Sequence, residues 1–179
     1  MFKRIALVVL AVVPALALAG IGLANSGENQ LIRDVRNATE QYRDVPTAEA
    51  AGYGLFVDAQ GIACIELAGV GGMGVHYANG SLVGDAVIDP LRPEAVVYAQ
   101  GGGGKLKLAA LEYIVFQEAW EAEHGAGAEP PSLFGAEFDL TPAGNRFGIP
   151  AFYALHAWLF RGNPAGQLTP WNPKVTCPS

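Results

Sequence analysis

The chain reads as an α+β domain, with one or two N-terminal helices packed on a curved, mainly antiparallel sheet of about five strands. Three observations predict this. Apolar residues at helical spacing occupy the first part of the chain, five short apolar runs of strand character follow, and glycine- and proline-rich turns join them in place of helical crossovers. A small open β-barrel closed by the C-terminal tail is the alternative architecture.

Residues 1–24 stand apart from the domain. Lys3 and Arg4 precede an apolar stretch from Ile5 to Ala19, the pattern of a secretory signal peptide. Ala17-Leu18-Ala19 and Gly22-Leu23-Ala24 both offer small residues for cleavage, after Ala19 or after Ala24. A retained anchor is the competing reading, weakened by Pro14 and by a stretch shorter than the ~20 residues of a spanning helix. Residues 25–179 then form one domain, placed in the periplasm or outside the cell.

Within it, Leu31, Ile32, Val35, Ala38 and Tyr42 lie near helical spacing between charged residues, which predicts an amphipathic helix from Glu28 onward. Pro46 interrupts it, and Thr47 is placed to cap a short second helix ended by Gly52. Strands are expected at Gly61–Leu67, Gly74–Ala78, Ala95–Ala99, Leu106–Phe116 and Ala151–Phe160, with Gly101–Gly104 as a hairpin loop. Glu118–Asn145 reads as a long ordered loop and a candidate lid, and the proline-rich tail after Gly162 as pinned coil.

Eleven basic residues face seventeen acidic ones, two of the basic ones being Lys3 and Arg4 of the leader. Such an acidic surface with no basic cluster argues against nucleic acid as a partner. No second segment is long enough for stable membrane insertion after leader cleavage. Cys64 and Cys177 are the only cysteines, and in an oxidising compartment they are expected to form a disulfide.

Function is sought in polar side chains that interrupt apolar strands. His76, Glu112 and His156 each do so, and a buried imidazole or carboxylate needs a partner. By strand alternation Glu112 shares a face with Leu106, Leu108, Ala110, Ile114 and Phe116, and His156 shares one with Phe152, Ala154, Trp158 and Phe160. Two imidazoles and one carboxylate from neighbouring strands would bind one divalent transition metal, Zn, Fe, Mn or Cu, with open positions left over.

Two alternatives compete. In one, Glu112 pairs with Arg146 or Arg161 while the histidines bond to backbone, Tyr77 or Tyr113, and the network is purely structural. In the other, a metal-free pocket for a small-molecule ligand is walled by Tyr77, Tyr113, Phe152 and Trp158, with Glu112 as a base whose pKa is raised by burial. Met73 reads as core filler; a copper-type pairing with His76 requires Gly74 to break the strand. His124, in the acidic loop, reads as solvated.

The runs Gly74-Val75-His76-Tyr77-Ala78-Asn79, Asp89-Pro90, Pro93-Glu94, Glu112-Tyr113, Leu155-His156-Ala157-Trp158, Asn163-Pro164 and Asn172-Pro173 resemble those of a family of small exported bacterial proteins of unknown function. The resemblance spans Ala38 to Cys177. It implies an extracytoplasmic bacterial protein, draws attention to His76, Glu112 and His156, and carries over no activity.

Overall fold

The computed structural model describes residues 16–177, with side chains from Gly27 onward. Residues 1–15 of the expected leader lie outside the described residues. Its remainder, 16–24, forms the first turns of helix α1, Leu16–Thr39. Among the described residues no helix is long and apolar enough to cross a membrane.

Helix α1 buries Val35 completely, with Leu31 and Ile32 half-buried beside it, as the apolar spacing requires. It ends sooner than expected. The Thr39 hydroxyl donates back to the Val35 carbonyl at 2.7 Å, and the chain tightens into a 3-10 turn over Glu40–Tyr42. Helix α2, Val45–Ala50, is capped by Asp44, whose carboxylate accepts from the Thr47 amide at 3.1 Å. The cap expected at Thr47 is therefore corrected. Pro46 has no amide hydrogen to lose in a first turn, so the helix begins before the proline rather than after it.

The strands are β1 Gly54–Leu55, β2 Cys64–Leu67, β3 Gly71–Ala78, β4 Ala95–Gln100, β5 Leu106–Phe116, β6 Ser132–Leu133, β7 Ala136–Glu137, β8 Asp139–Thr141 and β9 Phe152–Ala157. All but β6 and β7 join one antiparallel seven-stranded sheet of order β1-β3-β4-β5-β9-β8, with β2 also on β3. The sheet is open and not a barrel, which bears out the α+β class. Gly101–Gly104 makes the β4–β5 hairpin, and short helix α3, Gly80–Val83, follows β3.

The segment expected as one long loop is different. Helix α4, Gln117–His124, continues directly from β5; then β6 and β7 pair as a small hairpin, and β8 joins the main sheet. The Trp120 indole donates to the Glu129 carbonyl at 2.9 Å and folds the glycine-rich stretch back on the helix. His124 stacks on Trp120 with ring centroids 3.6 Å apart, exposed as expected.

The two sheet faces have different coverings. One packs beneath α1 and α2 through Tyr77, Val96, Tyr98, Leu111, Tyr113 and Leu155. The Tyr98 hydroxyl donates to the Tyr42 carbonyl at 2.8 Å, and that of Tyr53 to the Pro93 carbonyl at 2.8 Å, fastening the helical layer to the sheet. The other face receives the C-terminal tail. The Gly72 amide donates to the carbonyls of Asn172 at 3.2 Å and Val175 at 2.8 Å, and the Asn172 amide returns a bond to Gly72 at 3.0 Å. A Cβ at Gly72 would stand 2.9 Å from the Val175 oxygen, and one at Gly71 would collide with the Asn172 carbonyl. Only glycine admits the tail this close.

Cys64 and Cys177 form a disulfide with Cα atoms 5.6 Å apart, tying β2 to the end of this tail. Its closed loop spans a sequence separation of 113 residues, for which chain entropy sets an upper contribution of about 5 kcal/mol. The double variant C64S/C177S should therefore unfold in urea with a midpoint corresponding to a loss of a few kcal/mol. An unchanged midpoint would mean that the tail is held by its backbone bonds alone.

Candidate metal centre

Glu112 faces the tail side of the sheet because its neighbours Leu111 and Tyr113 are both fully buried in the helix-side core. The face expected for it is partly wrong. Val97 pairs with Ala110 but Tyr98 pairs with Leu108, so Ala109 is an extra residue and the alternation inverts there. Leu108 thus joins the helix-side core, while Ala110 stays on the side of Glu112.

Strand β9 sets His156 directly opposite Glu112. On the far side of β4, β3 carries His76 opposite Val97. Ala95 pairs with Glu112 and is fully buried, and its methyl leaves room for His76 to reach across β4. The His76 Nε2 and Glu112 Oε2 atoms are 3.1 Å apart, and the two imidazoles meet edge to face with centroids 5.6 Å apart. One ligand atom from each of the three side chains lies within 4.8 Å of the others. Two bonds of about 2.1 Å meeting at a tetrahedral angle separate their donors by roughly 3.4 Å, so a small contraction seats one ion.

The three groups are buried at 6%, 8% and 3% exposure for His76, Glu112 and His156. His76 Nε2 and both ring nitrogens of His156 have no hydrogen-bond partner among the described residues. The short His76–Glu112 contact is thus an electrostatic approach without hydrogen-bond alignment. The self-satisfied network fails at each partner expected of it. Arg146 pairs with Asp58, Arg161 donates to the carbonyls of Gln100 and Lys174, and Tyr77 and Tyr113 lie on the opposite face. Tyr113 spends its hydroxyl on the Pro90 carbonyl at 2.7 Å.

Burial pushes the Glu112 carboxyl up, but the neighbouring His76 and His156 outweigh it and hold the group below its usual range. This corrects the expectation of a burial-raised base. Burial depresses His156 to about 3, against the pull of Glu112.

The trio forms part of the lining of a cavity of about 550 Å³ between the sheet and two loops, with Phe56, Ile65, Ile114, Phe147, Phe152 and Trp171 among its apolar walls. Of the four residues expected as pocket walls, Phe152 alone lines it. Tyr77 and Tyr113 are turned away by the pleat, and Trp158 packs with Val97, Ala110 and Val175 while its ring lies 4.7 Å from that of His156. Phe160, beyond the end of β9, packs against the helix-side core. Met73, expected as core filler, lines the cavity instead: Gly74 has φ +97° and the β2–β3 register shifts there, which brings Met73 and His76 to one side.

Of the segment expected as a lid, only the end reaches the cavity, through Asp139, Thr141 and Asn145. The cavity is clasped by the segments around Asp58 and Arg146, joined by an ion pair at 2.5 Å, an Ala59 amide to Arg146 carbonyl bond at 3.0 Å and a Phe56–Phe147 ring contact at 5.2 Å. Arg146 and the amide of Ile62 hold the Asp58 carboxyl below its usual range. The Asp58–Arg146 pair went unforeseen because the two residues are 88 positions apart; the one local sign is the turn-forming Asp58-Ala59-Gln60-Gly61 run.

Comparison with protein-family models, with curated proteins and with solved structures gave no match. The site is therefore argued from its own chemistry.

Another buried carboxyl, Glu94, lies on the helix side at 1% exposure and accepts from the Ile114 amide at 3.0 Å. Burial, against that bond, raises it from an ordinary 4.5 to about 8. A carboxyl raised on folding favours the folded state fully below 4.5, and that stabilisation is lost as pH rises toward 8. Wild-type stability should consequently decline between those limits, by at most about 1.4 kcal/mol per pH unit from this group. In E94Q the decline should flatten; denaturant titrations at several pH values that gave parallel slopes for both proteins would contradict the assignment.

Proposed function

We propose that the protein is exported and holds one divalent transition-metal ion between His76, Glu112 and His156. The observation that carries this reading is the convergence of a buried carboxylate with ring nitrogens that no hydrogen bond among the described residues satisfies. Leaving such groups bare costs about 1–3 kcal/mol each, whereas a metal ion uses their lone pairs. Two imidazoles and one carboxylate suit Zn, Fe(II), Mn or Cu. Three protein donors leave coordination positions for water or a ligand on the cavity side. Trp158 packs against the His156 ring and Ala95 keeps the approach of His76 clear, so the protein's part is to orient the donors and exclude bulk water.

Export is supported by the basic-then-apolar leader and by the disulfide, which persists in oxidising compartments. The resemblance to small exported bacterial proteins points the same way.

Untagged protein, stripped with a chelator and reloaded with Zn or Co(II), should retain about one equivalent per chain, and Co(II) should show the absorption of a low-symmetry nitrogen–oxygen site. At a hundred-fold excess over Kd the metal should raise stability by about 2.7 kcal/mol. The pair H76A/H156A, shown to be folded by circular dichroism, should retain none. Wild-type protein that takes up no metal, or a variant that takes up as much, would overturn the reading.

A further inference from the structure

We infer that the cavity beside the trio receives a ring-bearing apolar molecule with one anionic oxygen, a phenolate or a carboxylate, directed at the metal. The inference rests on the metal reading and adds the chemical class of ligand.

Charge balance is the first argument. Asp58 on the cavity wall is matched by Arg146, and Asp139 is exposed to solvent, so a divalent ion beside the Glu112 carboxylate and two histidines leaves an excess positive charge that a single anionic donor neutralises. A dianion would overshoot, and a cation would be repelled. The second argument is that the wall's one cationic side chain is already neutralised. Arg146 is the cavity's one basic lining residue besides the histidines, and its Nε and one terminal nitrogen are already bonded to Asp58. Asn145, also on the wall, is committed to the carbonyls of Pro142 and Ile149. An anionic group is therefore drawn to the ion.

Size and lining supply the rest. About 550 Å³ falls within the roughly 300–1,000 Å³ of small-molecule sites and far exceeds a water pocket. Phe56, Phe147, Phe152 and Trp171 offer aromatic walls suited to a ring rather than to a sugar or a polyol.

Isothermal titration of the metal-loaded protein with benzoate, benzamide and acetate separates these contributions. Benzoate should bind at least ten-fold more tightly than benzamide, which lacks the charge, and than acetate, which lacks the ring. It should weaken at least ten-fold on metal removal. A154F, which fills the cavity from β9, and I149W, which fills it from the loop, should keep about one metal equivalent and lose benzoate affinity ten-fold or more. Acetate equal to benzoate, benzamide equal to benzoate, or binding indifferent to the metal would each overturn the inference while leaving metal binding intact. Failure to take up metal would show instead that the metal reading itself is wrong.

Discussion

Strand pleating is the constraint from which the rest follows. Along β5, Leu111, Tyr113 and Val115 are driven into the helix-side core, so Glu112 has to emerge on the opposite face. The same alternation turns Tyr77 and Leu155 toward the helices and hence His76 and His156 away from them. The hydrophobic effect, acting on residues outside the trio, thus aims three polar side chains at one point. Loss of register by a single residue would scatter them.

The arrangement divides the molecule into a stabilising side and a chemical side. On the first, tyrosine hydroxyls are satisfied by the carbonyls of Tyr42, Pro90 and Pro93. On the second, ring nitrogens remain without hydrogen-bond partners among the described residues. Buried polar groups are nearly always satisfied, and their concentration at one spot marks where stability gives way to another requirement. Glu94 and Glu112 show the contrast between the two sides. Both are carboxyls buried in one sheet, yet burial pushes the first up, while for the second the effect of burial is outweighed, chiefly by His76 beside it, and the group lies below its usual range.

Much of this was legible in the sequence, and the boundary is physical. Strand β5 appears with its full extent because eleven consecutive residues carry the pattern. The trio was visible because a charge or an imidazole among valines and leucines is conspicuous without any knowledge of the fold. Features that depend on one inserted residue were hidden: the bulge at Ala109 moves Leu108 to the other face, and the break at Gly74 brings Met73 to the cavity. Pairings between distant loops, such as Asp58 with Arg146, leave no periodic trace. Helix α4 was missed because it is only eight residues long with no fully buried side chain, so it presents little apolar stripe to read.

The cystine also governs shape. Pro170 and Trp171, which close one wall of the cavity, belong to the tail that the Cys64–Cys177 bond moors to β2. Breaking it would leave that wall to hydrogen bonds, those of Gly72 with Asn172 and Val175 among them, easing the entry of bulk solvent to the donors' surroundings. The seal on the cavity would then follow the thiol poise of whatever compartment the chain occupies.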